Sequence, residues 1–297
     1  MNLLKHTTFG RFFILFSAVL LSITGCKEIP PFIDYSTPIL LARDTTYVLN
    51  STPEAQNKNV LIEDISGVRC INCPEAAEIA HDIQDKNQKG RVIVMTLHTT
   101  KIANFTRPYS DTFNTDEATF IVDNLIDGDV SGLPTGSIDR KIYAGKTDAL
   151  LKPATWESFV NGQLLLKTKA NLDLDLVVDK ESRSVIANVK ATFLTEFPEG
   201  AYLSLFITES HILSHQLVDT GVQADFEHNF ILRKGITPYT GIKLAPTIEA
   251  NRVFEKGFEF TIPEKWNFEN CNIVVLLNPV KPGANDVIQT KEKSIKP

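Results

Sequence analysis

The fold is decided by one stretch, Val60-Leu61-Ile62-Glu63-Asp64-Ile65-Ser66-Gly67-Val68-Arg69-Cys70-Ile71-Asn72-Cys73-Pro74. Its first half is an apolar run that predicts a buried strand, and its second half places a Cys-x-x-Cys motif at the start of a helix. A second apolar run, Val92-Ile93-Val94-Met95, follows the helix. Two buried strands joined by a helix predict a parallel βαβ unit.

The two cysteines of the motif, Cys70 and Cys73, stand where the strand gives way to the helix. A helix N-terminus offers unpaired backbone N–H groups and the positive end of the helix dipole, and both favour a thiolate. The placement resembles the active site of thioredoxins. This resemblance implies thiol–disulfide exchange, in which Cys70 at the loop edge attacks and Cys73 resolves the mixed disulfide.

Two acidic residues on the incoming strand are candidates for a proton relay. Asp64 lies six residues before Cys70, the spacing at which thioredoxins place a buried carboxylate under the second sulfur. Glu63 is the alternative, because side chains of a strand alternate between its faces and only one of the two points toward the sulfurs. His98 ends the second apolar strand, at the sheet edge where α/β proteins present their chemistry. It either faces the cysteines or forms a hydrogen bond at the strand end.

Two other interpretations of the motif stay open. Outside the cytosol, a Cys-x-x-Cys can be a static disulfide that staples a helix to its strand. It can also be half of a zinc site, which needs two further ligands, although the sequence has no second Cys-x-x-Cys. Neither interpretation, nor thiol–disulfide exchange, requires an organic cofactor, and we expect none.

A proline is expected beside the motif in the folded chain. Thioredoxin-like proteins have a cis-proline before their third core strand, packed against the cysteines, and a cis X-Pro bond is uncommon enough to need a structural reason. Leu133-Pro134 fits this position in order along the chain, because a predicted strand follows at 135–139. By this resemblance Pro134 joins Cys70, Cys73 and Asp64 as a predicted catalytic-site residue.

The chain begins like a bacterial lipoprotein. Lys5 and Arg11 flank the start of an apolar run at 12–21, and the sequence Ile23-Thr24-Gly25-Cys26 resembles a lipobox. Cleavage before Cys26 leaves an N-terminal cysteine that carries acyl chains such as palmitate, and several acyl chains anchor a protein stably in a membrane. Residues 1–25 are therefore predicted to be a signal peptide, and residues 26–56 a lipidated tether with one edge strand near 38–49.

Composition limits the classes of function. Hydrophobic residues make up 43% of the chain, which supports real cores, and the formal net charge is -6. A negative net charge argues against nucleic acid as a partner. Of the four cysteines, Cys271 is left over once Cys26, Cys70 and Cys73 are assigned. It precedes a core-strand pattern, so we expect a buried thiol.

The last part of the chain has the pattern of β structure. Leu172-Asp173-Leu174-Asp175-Leu176 alternates apolar and acidic residues, and similar short segments recur without intervening helices. The predicted fold class is therefore an α/β thioredoxin-like domain at 57–168 followed by an antiparallel all-β sandwich domain at 169–297. A loop at 237–241 carries threonine and tyrosine side chains that suit a glycan or a peptide.

Three stretches together resemble a known family: 61–74, Gly132-Leu133-Pro134-Thr135 and 225–233. The chain is similar to Bacteroidetes outer-membrane lipoproteins related to a twenty-eight-kilodalton outer membrane protein, which pair a thioredoxin-like domain with a β-rich domain. The resemblance implies an outer-membrane protein, anchored through lipid on Cys26 and facing the periplasm or the cell surface. Two functions remain open. One is thiol–disulfide exchange on client proteins, and the other is non-enzymatic binding of a surface ligand, or assembly, with a structural disulfide.

Overall fold

The first apolar run forms the strand β2 (Val60–Ser66), in which every residue is buried. The computed structural model of the protein describes residues 41–87, 90–99, 111–279 and 285–296. β2 pairs in parallel with β3 (Val92–His98) and antiparallel with β4 (Thr135–Ile138). The helix α1 (Cys73–Lys86) connects β2 to β3, so the predicted βαβ unit is confirmed.

One face of β2 is covered by α1, which begins at the second cysteine of the motif. Pro74 lies in the first turn, where the N–H that proline lacks would have no partner within the helix. Ala76 and Ala80 turn inward and pack with Val60 and Ile62 of β2. This spacing of small apolar residues lets the helix approach the sheet closely.

The opposite face of β2 and β3 is covered by a second helical segment. Leu61 and Met95 pack there against Ala118 of α2 (Asp116–Phe120) and against the π-helical turn Ile121–Leu125 that continues it. A third helix, α3 (Trp156–Leu164), lies on the same face as α1. Both faces of β2 and β3 are thus buried, which explains why their sequences are apolar without alternation.

The C-terminal half of the described chain is built from strands. They are β5 (Ala170–Asp179), β6 (Ser184–Phe193), β7 (Ala201–Glu209), β8 (Ile212–Val218), β9 (Gly221–His228), β10 (Ile231–Gly235), β11 (Ile242–Ala245), β12 (Arg252–Thr261), β13 (Cys271–Pro279) and β14 (Gln289–Ser294). The edge strand expected near 38–49 is confirmed within the described residues as β1 (Leu41–Val48), which pairs antiparallel with β12.

Two sheets pack face to face as a β-sandwich, but the predicted antiparallel all-β sandwich at 169–297 is wrong in one respect, because the second sheet is mixed and also contains β2, β3 and β4. One sheet is antiparallel with the strand order β1-β12-β6-β5. The other has the order β14-β13-β7-β10-β3-β2-β4, with β11 paired beside β7. Leu203, Leu205 and Ile273 of the second sheet share a core with Leu172 and Phe258 of the first. Inward-facing residues of both sheets thus fill one apolar layer.

The second sheet contains strands from both sides of residues 168 and 169, where two domains were predicted to meet. Its junction is β10, which pairs antiparallel with β7 and in parallel with β3 through Ile231 and Thr96. The Thr96 N–H donates to the Phe230 carbonyl at 2.8 Å. Phe206 and Val274 of the sandwich belong to the same core as the α2 segment. The described residues therefore form one compact unit with a shared sheet.

The predictions for the N-terminal segment fall outside this unit. The signal peptide at 1–25 and the lipid attachment residue Cys26 lie outside the described residues. Among the helices of the described part of the chain, none has the length and apolar character needed to cross a membrane.

Candidate functional site

The Cys-x-x-Cys motif is a closed disulfide at the start of α1. The Cys70 and Cys73 sulfurs are 2.10 Å apart, and their Cα atoms are separated by 5.4 Å. Cys73 is only 2% exposed, whereas Cys70 is half-buried and Ile71 between them is 43% exposed. An approaching sulfur therefore meets Cys70 first. Within the described ranges, no three His, Cys, Asp or Glu side chains are grouped to hold a metal ion.

Asp64 lies on the face of β2 that α1 covers. Val60 and Ile62 pack against α1, and side chains alternate along a strand, so Asp64 points the same way. In a βαβ unit the helix runs back over the strand, which places the first turn of α1 over the end of β2 where Asp64 stands. Asp64 and Cys73 are therefore both buried on the side of β2 that α1 covers.

The carboxyl group of Asp64 is isolated. Neither of its oxygens has a hydrogen-bond partner among the described residues, and the side chain is 0% exposed. Burial raises the pKa of Asp64 from 3.8 to about 7, because a carboxylate loses its hydration there. The group can accordingly give or take a proton near neutral pH.

Glu63, the alternative relay residue, faces the other side of β2 and is paired. Its Oε1 lies 2.6 Å from Nη2 of Arg140, and both side chains are almost completely buried. The hydroxyl of Ser137 donates to the second carboxylate oxygen at 2.9 Å. This carboxylate is therefore engaged in holding β2 to the turn after β4, and Asp64 remains the candidate relay residue.

The segment that carries Pro134 lies beside the motif. The Leu133–Pro134 peptide bond is cis, as predicted. Leu133 lines a cleft of about 270 Å³ together with Gly67 and Cys70. A Cβ placed on Gly67 would lie 3.6 Å from Cδ1 of Leu133, which shows how closely the two loops approach. The segment that carries Pro134 therefore approaches Cys70 through Leu133.

A second cavity, of about 390 Å³, lies between α1 and β9, and we call it the α1–β9 groove. Cys73, His98 and His228 contribute to its lining. Nδ1 of His98 lies 2.9 Å from the Thr112 carbonyl oxygen. Burial lowers the pKa of His98 to about 4, so the ring is neutral. His98 therefore forms a hydrogen bond at the end of its strand, and it also lines the same cavity as Cys73.

The hairpin of β8 and β9 touches the motif, a contact that sequence reasoning missed. The Leu217 N–H donates to the Val68 carbonyl at 2.8 Å, and Nε2 of Gln216 donates to the Cys70 carbonyl at 2.9 Å. Gln216 is 3% exposed. Alternation in the sequence indicates a strand at this position, but it does not indicate that the strand meets a loop that precedes it by 146 residues.

Two further predictions concern the C-terminal half. Cys271 is a free, buried cysteine at the start of β13, as expected, and burial raises the pKa of its thiol to about 12. In the loop at 237–241, Oγ1 of Thr237 accepts a hydrogen bond from the Leu205 N–H at 3.2 Å, and the Tyr239 ring lies 5.5 Å from the Phe120 ring. The groups suggested for ligand binding thus make contacts within the fold.

Comparison with protein families adds a decisive observation. The family model described as outer membrane protein Omp28 matches residues 126–297, more than half of the chain. The chain belongs to the Omp28 family. The resemblance to the twenty-eight-kilodalton protein is thereby confirmed, as is the predicted location in the outer membrane. The matched part includes the cis-proline and the β8–β9 hairpin, whereas the Cys70–Cys73 pair precedes it.

A solved structure from another protein has a similar fold. HBP35 of Porphyromonas gingivalis has a TM-score of 0.63 at 16% identity, covering 80% of this chain and 75% of that one. At this identity the likeness shows a common fold. A domain of the outer membrane lipoprotein Omp28 from Porphyromonas gingivalis has a TM-score of 0.29 at 14% identity, covering 43% of this chain and 97% of that one. The search of curated proteins found no match.

Proposed function

We propose that this Omp28-family protein is anchored by acyl chains on Cys26 and exchanges thiols and disulfides with client proteins through Cys70 and Cys73. The observation that supports this most is Asp64, a buried carboxyl group without a hydrogen-bond partner among the described residues, on the face of β2 that α1 covers. A disulfide with a purely structural role needs no such group. Burying a carboxyl group without a partner costs stability, and perturbed groups of this kind cluster at functional sites.

The proposal includes a thioredoxin-like arrangement for residues 57–168. In its support, β2 lies between parallel β3 and antiparallel β4, α1 and α3 share one face, and the cis Leu133–Pro134 bond lies in the segment beside the motif. Residues 169–297 then form the second module, joined through the shared sheet. Residues 1–25 serve as the signal peptide and residues 26–56 as the lipidated segment.

The first step of the exchange starts from the disulfide form. A client thiolate attacks Sγ of Cys70, a bond forms between the two sulfurs, and the Cys70–Cys73 bond breaks. Cys73, in the first turn of α1, leaves as a thiolate. The protonated carboxyl of Asp64 then donates its proton to the Cys73 sulfur, so the negative charge passes to the carboxylate.

A second client thiolate completes the exchange. It attacks the client sulfur of the mixed disulfide, and Cys70 leaves as a thiolate that the positive end of α1 stabilises. The client loses two electrons and gains a disulfide, while Cys70 and Cys73 take up the two electrons as a dithiol. The reverse sequence reduces a client disulfide, and a second thiol–disulfide protein restores the starting state in either direction.

A second candidate function is a non-enzymatic binding or assembly module in which the disulfide is a fixed staple. Two observations favour it. Cys73 is 2% exposed, and the loop before it is held by hydrogen bonds from Leu217 and Gln216. In this case a surface ligand binds elsewhere, and the disulfide contributes only to stability.

The reduction potential of the Cys70–Cys73 pair separates the two functions. We expect a value within the span of dedicated oxidoreductases, roughly -120 to -270 mV, in a glutathione titration of the chain without residues 1–26. A value below about -300 mV identifies a structural disulfide and refutes the exchange function. Cys73→Ser should in addition trap mixed disulfides with clients in cells, and the matched control Cys70→Ser/Cys73→Ser should trap none.

A further inference from the structure

The α1–β9 groove connects the disulfide to a surface built from both halves of the chain. One wall is the exposed side of α1, and the other is β9 of the C-terminal hairpin. Cys73 and Gln216 belong to its lining, and Gln216 is hydrogen-bonded to the Cys70 carbonyl. A segment lying in this groove therefore contacts the lining at Cys73, whose sulfur is bonded to that of Cys70.

The rims of the groove carry carboxylates on facing walls. Glu78 projects from α1, and Asp225 and Glu227 project from β9, all three on exposed positions. His211 pairs with Glu227 through Nδ1 at 2.8 Å. The described lining contains no lysine or arginine. The groove therefore has a negative rim with little internal compensation, and such a rim attracts cations.

The floor of the groove also contains a hydrogen-bond acceptor that no donor reaches among the described residues. His228 is 4% exposed, and its Nε2 has no partner among the described residues. Backbone groups of Ser214 and His215 bond the ring and favour its protonated form, so Nδ1 donates and Nε2 remains an acceptor. Burial, together with the neighbouring His98, lowers the pKa of His228 to about 4 and keeps the ring neutral. The floor of the groove therefore holds a buried imidazole acceptor without a partner among the described residues.

We propose that the α1–β9 groove binds an extended client segment that carries lysine or arginine beside its reactive cysteine. Lysine and arginine side chains only donate hydrogen bonds and are positively charged, which complements the carboxylate rim and the imidazole acceptor. β9 pairs only with β8 among the described strands, so its other edge can pair with an extended segment. The proposal rests on the exchange function and specifies its client class.

Peptide substrates of different charge test the groove. The full chain, purified in detergent and reduced, is mixed with short peptides whose single cysteine is disulfide-bonded to thionitrobenzoate. Attack by Cys70 releases the coloured thiolate, and attack by Cys73 then frees the peptide thiol. We expect lysine-flanked peptides to react faster than serine-flanked ones at low salt. Glu78→Gln/Asp225→Asn should lower the ratio of the lysine-flanked rate to the serine-flanked rate about fivefold to tenfold.

The control variant is Asp82→Asn/Asp219→Asn, which removes the same charge from α1 and from the hairpin turn outside the groove. It should leave both rates unchanged. Equal rates for the two peptides, or an equal loss in the control variant, overturn the groove proposal. Fluorescence anisotropy of a lysine-flanked peptide with serine in place of cysteine tests binding without sulfur chemistry. Peptide binding that depends on Glu78 and Asp225, with no thionitrobenzoate release, refutes the exchange function alone.

Discussion

Asp64→Asn should make the protein more stable at neutral pH. In the folded chain the pKa of this carboxyl is about 7, and its ordinary value is 3.8. Below pH 3.8 both the folded and unfolded states hold the proton, and the residue adds no pH dependence. As pH rises from there, the unfolded state releases the proton while the folded state retains it, so stability falls until pH passes about 7. At 1.36 kcal/mol per pH unit, the loss is about 4 kcal/mol.

Asparagine cannot ionise, so the cost of burying its amide does not vary with pH. We therefore expect the difference in unfolding free energy between Asp64→Asn and the parent chain to grow by about 4 kcal/mol from pH 4 to pH 8. Urea denaturation of the disulfide form without residues 1–26, followed by the fluorescence of Trp156 and Trp266, measures it at each pH. Asp82→Asn, an exposed aspartate on α1, is the control and should show little change.

A constant difference across this pH range would refute the reasoning. It would mean that the Asp64 carboxyl is solvated or paired in the folded protein, and a solvated or paired carboxyl has no reason to retain its proton near neutral pH. The role of Asp64 as proton donor to the Cys73 thiolate would then lose its physical basis.

The remaining predictions concern packing around β2 and β4. Glu63→Gln leaves the Arg140 guanidinium buried without its carboxylate. The free energy of unfolding, measured with urea at pH 7, should therefore fall by about 3–5 kcal/mol. A decrease below about 1 kcal/mol would contradict the ion pair. Gly136→Ala places a Cβ 2.5 Å from the Glu63 carbonyl oxygen and 2.7 Å from Cζ2 of Trp156. The variant should therefore lose about 1–3 kcal/mol of unfolding free energy and show a changed near-ultraviolet circular dichroism signal from that tryptophan. An unchanged spectrum and stability would argue against this close approach.

The parts of the fold that could be predicted from sequence depend on local signals. The apolar runs at 60–66 and 92–98 indicate strands buried on both faces, and the motif between them marks the start of a helix. Leu133-Pro134 was placed by its order along the chain relative to the next strand, and its peptide bond is cis. The two strands and the helix start are specified within a few residues, so a single sequence is sufficient to find them, whereas the proline is predicted from the resemblance to thioredoxin-like proteins.

The choice between Glu63 and Asp64 illustrates a limit of such reasoning. Alternation requires that the two carboxyls face opposite sides of β2, but it does not say which side α1 covers. Which carboxyl can act as a relay depends on where Arg140 lies, because its guanidinium pairs with Glu63 and leaves Asp64 without a partner among the described residues. Arg140 comes 77 residues after Glu63, so the pairing is a tertiary contact that local patterns do not contain.

The shared sheet explains why the two halves of the chain cannot be treated as independent modules. β3 supports α1 on one side of the groove, and its Thr96 N–H is bonded to the Phe230 carbonyl, just after β9. The same strand therefore positions both walls of the groove relative to Cys73. Without residues 169–297, β3 would become an exposed edge of Val, Ile and Met residues, and the motif would lose its hydrogen bonds from Gln216 and Leu217. The surroundings of the disulfide are thus a property of the whole sheet.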